Sequence, residues 1–197
     1  MRKILMTLIA LLGSTLTSAA QSWIVPTDTG FRYSEQLSNG PAGDCGCFPL
    51  QGGAADAYWR IRPSQPAQSA NGLGIAADIG VENTGSVDGA GYGLSLATFT
   101  AGPRLRLPVK SAQIFVQALF GLAHGFNSEF PRRDTLVSSA NSLDIDLGGG
   151  VDYRLNHRFS LRILQLDYLR TALPNNTNNW QNNLRIGAGI ILHFPRS

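Results

Sequence analysis

Near its C-terminal end the chain reads NLRIGAGIILHF, and the pattern alternates. Leu184, Ile186, Ala188, Ile190, Leu192 and Phe194 fall on one parity; Arg185, Gly187, Gly189, Ile191 and His193 fall on the other. Successive side chains of a strand point to opposite faces, so one face is apolar throughout and the other small, charged or polar except at Ile191. The pattern recurs upstream. Residues 54–62 set Ala55, Ala57, Trp59 and Ile61 against Asp56, Tyr58, Arg60 and Arg62. Residues 73–82 set Leu73, Ile75, Ala77, Ile79 and Val81 against Gly74, Ala76, Asp78, Gly80 and Glu82. Residues 143–153 set Leu143, Ile145, Leu147, Val151 and Tyr153 against Asp144, Asp146, Gly148, Gly150 and Asp152. Residues 30–37 and 112–124 give two more strands, the second with Phe115 and Leu119 on its inner face. Residues 92–103 form a strand whose facing the pattern leaves open. Residues 159–170 break the alternation, because Ile163 shares parity with Gln165 and Asp167 while Arg162 shares it with Leu164 and Leu166. A bulge would resolve this. The reading adopted is a regular strand, with Asp167 inward and Arg162 snorkelling to the rim.

These are eight strands, joined by connections that alternate long and short. The Gly/Pro-rich 38–53, the segment 83–91, 125–142 and the Asn-rich 171–182 are the long ones; 63–71, the cationic 104–111 and 154–157 read as turns. Outer-membrane barrels have this asymmetry, with extended outer loops and brief periplasmic turns. The expected fold is all-β, an eight-stranded antiparallel up-and-down transmembrane β-barrel with its apolar side outward. The polar faces then line a narrow lumen, where Asp56, Asp78, Glu82, Asp144, Asp146 and Asp152 can pair with Arg60, Arg62 and Arg185. A soluble sandwich or lipocalin-like binding protein is the alternative, since alternation alone does not separate them. Small residues and opposite charges on the polar faces favour the membrane.

Composition agrees: 197 residues fit one domain, with 22 Gly and only 15% charged residues. The sequence pI near 9.1 hints at an acidic partner. Residues 1–20, however, have a basic start, a short apolar core and a small-residue end, as a secretory signal does. Without Arg2 and Lys3, fourteen basic and thirteen acidic side chains remain, a formal charge of +1. With no basic run interleaved with aromatics, nucleic-acid binding is set aside. The expected organisation is a signal at 1–20 and one barrel at 21–197, exported by the Sec route. Cys45 and Cys47 are the only cysteines. They read either as a tight loop disulfide or as two free thiols.

GPRLRL (102–107), IFVQALFGLAHG (114–125), LGGGVDYRLNHRFSLRILQLDYLRT (147–171) and QNNLRIGAGIILHF (181–194) resemble the OmpA-like outer-membrane β-barrel family. The resemblance implies an eight-stranded barrel in a bacterial outer membrane with a structural, adhesive or weakly pore-forming role. It carries over no wall-tethering domain, since only three residues follow Phe194. The expected partners are outer-membrane lipid, lipopolysaccharide and the barrel insertion machinery, and the expected state is a monomer. No cofactor or metal motif is found, and no enzymatic activity is expected. The competing enzyme reading, a lipid A deacylase-like barrel, needs a serine beside a histidine base. His124, Ser128 and Glu129 are the nearest approach to one; His157 and His193 have no serine two residues away on their own strand.

Overall fold

The computed structural model describes residues 26–39, 48–61, 72–87, 91–132, 135–175 and 179–194. Eight strands follow one another in chain order: β1 (Asp28–Ser38), β2 (Phe48–Arg60), β3 (Gly72–Thr84), β4 (Leu94–Val109), β5 (Ala112–Arg132), β6 (Thr135–Arg154), β7 (Phe159–Thr171) and β8 (Gln181–His193). Each pairs antiparallel with the next, and β8 pairs with β1, which closes the sheet into an up-and-down barrel. Closure leaves no strand edge and satisfies the backbone within the sheet, the condition for spanning hydrocarbon with strands. The expected signal at 1–20, the cysteines 45 and 47, and Arg62 lie outside the described residues.

Burial alternates residue by residue along most of each strand, lapsing chiefly at 135–141 and 148–151 of β6 and at 163–164 of β7. In β3 the odd positions are exposed or half-buried, with Ile79 at 54% exposure, while Ala76, Asp78 and Glu82 are almost completely buried. Exposed Phe31, Ile79, Phe99, Phe120, Ile163 and Ile190 continue this belt around the barrel. The buried set is largely polar or charged. A soluble protein has the opposite arrangement, so the belt is a lipid-facing surface.

The strands depart from the sequence expectations in four places. β2 begins at Phe48, inside the expected 38–53 loop, and β5 and β6 run through most of the expected 125–142 loop as the arms of a long hairpin. β4 continues to Val109 instead of turning at 104, so its inner face adds Arg104 and Arg106. Pro103 lacks an N–H and falls where β4–β5 pairing is interrupted, between Ala101 and Arg104. In β7 the rejected bulge is present. Arg162 pairs with Gly189 and Gln165 with Gly187, so Ile163 and Leu164 both bulge outward opposite one β8 residue. Both Arg162 and Asp167 then face inward; Arg162 does not snorkel.

Ile79 sits near the middle of β3, on the lipid face. Ile79→Arg is expected to cost about 2–4 kcal/mol of folding free energy in phospholipid vesicles. Denaturant titration followed by tryptophan fluorescence measures it, and an unchanged midpoint would place this face in water.

Candidate functional site

Inward parity on seven strands converges on a closely linked set of ions, to which β5 adds Gln117. Arg32 on β1 makes a two-pronged bond to Asp78 on β3, at 2.6 and 2.9 Å. Arg104 on β4 bonds Asp56 on β2 and, at 2.9 Å, Gln117 on β5. Arg162 on β7 bonds Asp152 on β6 at 2.8 Å and Asp56 across the lumen at 2.7 Å. Arg185 on β8 reaches Asp146 at 2.9 Å, Asp167 at 3.3 Å, and Asp78 and Glu82 at 3.5 Å each. These guanidinium side chains are about 1% exposed or less. Planar guanidinium groups suit this role because each presents five donors in a fixed fork and stays charged when buried.

Phe115 lies between two of these cations, 4.8 Å from Arg104 and 4.5 Å from Arg162 at the ring centroid. With Leu119 it occupies the interior beside the ions. Two glycines provide room for carboxylates. A Cβ at Gly148 would lie 2.0 Å from an Asp167 oxygen, and one at Gly30 would lie 2.3 Å from an Asp56 oxygen. Toward the mouth away from the chain ends, Phe48, Leu50, Val87, Leu94, Leu96, Ala123, Phe130 and Leu173 pack into an apolar cluster. The described interior is thus filled by ions in its middle and by hydrocarbon at that far mouth.

Of the residues expected in the network, Asp56, Asp78, Glu82, Asp144, Asp146, Asp152 and Arg185 lie buried on the inner face. Asp144 is among them, but neither of its oxygens has a hydrogen-bond partner among the described residues. Arg60 lies at the near mouth, the end where β1 begins and β8 ends. Asp28, Arg32, Arg104, Arg106, Arg162 and Asp167 were missing from the expected set. For the β4 arginines the signal was present, because alternation continues from Thr98 and Thr100 through Arg104 and Arg106.

The three nearest-approach residues do not form a site. His124 is exposed, stacked on Phe126 and 2.6 Å from Asn141, whereas Ser128 is buried within the register irregularity between Phe126 and Phe130. Another histidine does meet a serine, across strands. Asp28 pairs with His193 at the β1–β8 seam, and Ser160 pairs with Ile191, two residues before His193 on the same face. The Ser160 hydroxyl is 2.7 Å from His193 Nε2, and His193 Nδ1 bonds one oxygen of Asp28. Arg106 bonds the other. These groups line a near-mouth pocket of about 260 Å³.

The geometry defines the class: a small, eight-stranded barrel of the outer-membrane type, with a charge-filled interior. Solved structures of the same architecture include Neisserial surface protein A (TM-score 0.60, 13% identity, covering 85% of this chain and 96% of that one). They also include Ail, the attachment invasion locus protein of Yersinia pestis (0.51, 14%, 85% and 99%), and the outer membrane enzyme PagL (0.52, 13%, 85% and 99%). No family model matches the sequence, and no curated protein matches it. At these identities the likeness is one of fold.

Arg162 compensates two buried carboxylates at once. Arg162→Met is expected to destabilise the barrel by about 3–5 kcal/mol, because Asp56 and Asp152 lose a buried partner. Urea titration in lipid vesicles gives the value; a loss below 1 kcal/mol would mean water already solvates these carboxylates.

Proposed function

We propose that the chain is a bacterial outer-membrane protein that works through its exposed surface and keeps its lumen shut. The observation that supports this reading is the packed interior, in which Phe115, Leu119 and the arginines and aspartates of the network are almost completely buried among the described residues. Eight-stranded barrels are narrow enough for side chains alone to fill them. Sec export of a signal at 1–20, delivery to the barrel insertion machinery and residence as a monomer among outer-membrane lipids complete the proposal.

In this orientation the near mouth is periplasmic and the far mouth faces outward. Among the described residues the β5–β6 hairpin projects furthest as paired strands. Its strands have 21 and 20 residues, against 11 in β1. A tilted strand needs about 9–11 residues to span the bilayer, so both arms extend well past it. Glu129, Arg132 and Leu136 are exposed on that projection. A structural or adhesive role, with lipopolysaccharide headgroups as the nearest anionic neighbours, follows from this shape.

Planar-bilayer recording tests the closed lumen. The folded protein should give no conductance steps above the baseline leak, and large, stable steps would contradict the reading.

A further inference from the structure

The near mouth holds a constellation that a closed barrel does not require. Three neighbouring strands contribute one residue each: Ser160 from β7, His193 from β8 and Asp28 from β1. The order of bonds is directional. An ionised Asp28 can only accept, so His193 donates Nδ1–H to it, and Nε2 is left to accept the Ser160 hydroxyl proton. This is the tautomer a general base needs beside a serine nucleophile. The sheet holds the histidine in place through its backbone N–H, donated to the Arg158 carbonyl, and through the adjoining Phe194 N–H, donated to Thr27.

The pocket around this chain has a chemical preference. Arg60, Arg106, Lys110 and Arg154 line it against two acids, Asp28 and Asp152, and Tyr58 adds an aromatic wall. Arg106 is almost completely buried and stacks 3.8 Å over the Tyr58 ring. One of its nitrogens bonds Asp28, while Nε and Nη2 have no hydrogen-bond partner among the described residues. A fixed cation lining the same pocket as the nucleophile can stabilise a developing oxyanion.

We propose that this mouth is an acyl-hydrolase site for small carboxylic esters bearing a negative charge. Ser160 Oγ attacks the ester carbonyl carbon, and its proton passes to His193 Nε2 while Asp28 stabilises the imidazolium. The tetrahedral intermediate collapses, the carbon–oxygen ester bond breaks, and the alcohol leaves with the proton from His193. Water, deprotonated by His193, then attacks the acyl-serine; the acid is released and Ser160 regains its proton. The net reaction is ester plus water to acid plus alcohol. The cationic wall selects the anionic substrate, and a pocket of about 260 Å³ has room for an aryl ester.

The test uses the full mature chain folded in detergent micelles, with heat-modifiable gel migration as the check on folding. A fluorophosphonate probe forms an Oγ–phosphorus bond with loss of fluoride, and peptide mass spectrometry locates it. The expected adduct is on Ser160. His193→Gln should slow its formation by about 100-fold or more, and His157→Gln, at the exposed β6–β7 turn, should not. Acetylsalicylate should be hydrolysed in preference to neutral phenyl acetate, and Lys110→Asn, which suits the positive φ of 54° there, should lower that preference. A folded wild-type chain without a Ser160 adduct, or salicylate release that persists in Ser160→Ala, overturns the proposal. Equal rates on the two esters overturn the anionic class.

Discussion

Charges enclosed where water is scarce must neutralise one another, and this barrel is arranged around that requirement. An unpaired guanidinium or carboxylate at such a site carries a desolvation cost of several kcal/mol that only close partners offset. Arg32, Arg104, Arg162 and Arg185 each contact carboxylates on other strands. Asp56 alone draws β1, β4 and β7 together, through Arg32, Arg104 and Arg162. Hydrogen bonds between neighbouring strands close the wall; ion pairs such as Arg32–Asp78, Arg104–Asp56 and Arg162–Asp56 also tie together strands that do not touch through their backbones.

The outer surface follows from the same alternation. Each inward polar residue leaves its neighbours facing out, so a register that completes the ion network also builds the apolar belt. A one-residue slip in any strand would move its charges into lipid and its aliphatic side chains into the lumen. Register is therefore fixed on both sides at once. The β7 bulge shows the constraint: without the extra outward residue among Ile163 and Leu164, Arg162 and Asp167 could not both face inward.

Where a segment keeps strict period two, its residues alone indicated both its strand and its facing. Thus β3, the 143–153 part of β6, and β8 were legible, and so were Asp78, Asp144, Asp146 and Arg185 as inward residues. Four other features were obscured. Pro108 and Lys110 made the end of β4 read as a turn, which hid Arg104 and Arg106, although the strand runs on to Val109 and Pro108 is tolerated at its near-mouth end. The Gly- and Pro-rich approach to β2 and the polar arms of the β5–β6 hairpin resembled loops by composition. The Ser160–His193–Asp28 chain was invisible to spacing along one strand, because its members are 33 and 165 residues apart and meet only when the barrel closes.

The most direct measurement is water exchange at the arginine side chains, read by NMR of protein labelled with nitrogen-15 arginine in lipid nanodiscs. The account predicts that the Nε–H signals of Arg104, Arg162 and Arg185, each hydrogen-bonded inside the barrel, exchange far more slowly than that of Arg154, which is exposed at the near mouth. Exchange of the three interior groups as fast as that of Arg154 would mean a water-filled lumen and would contradict the account.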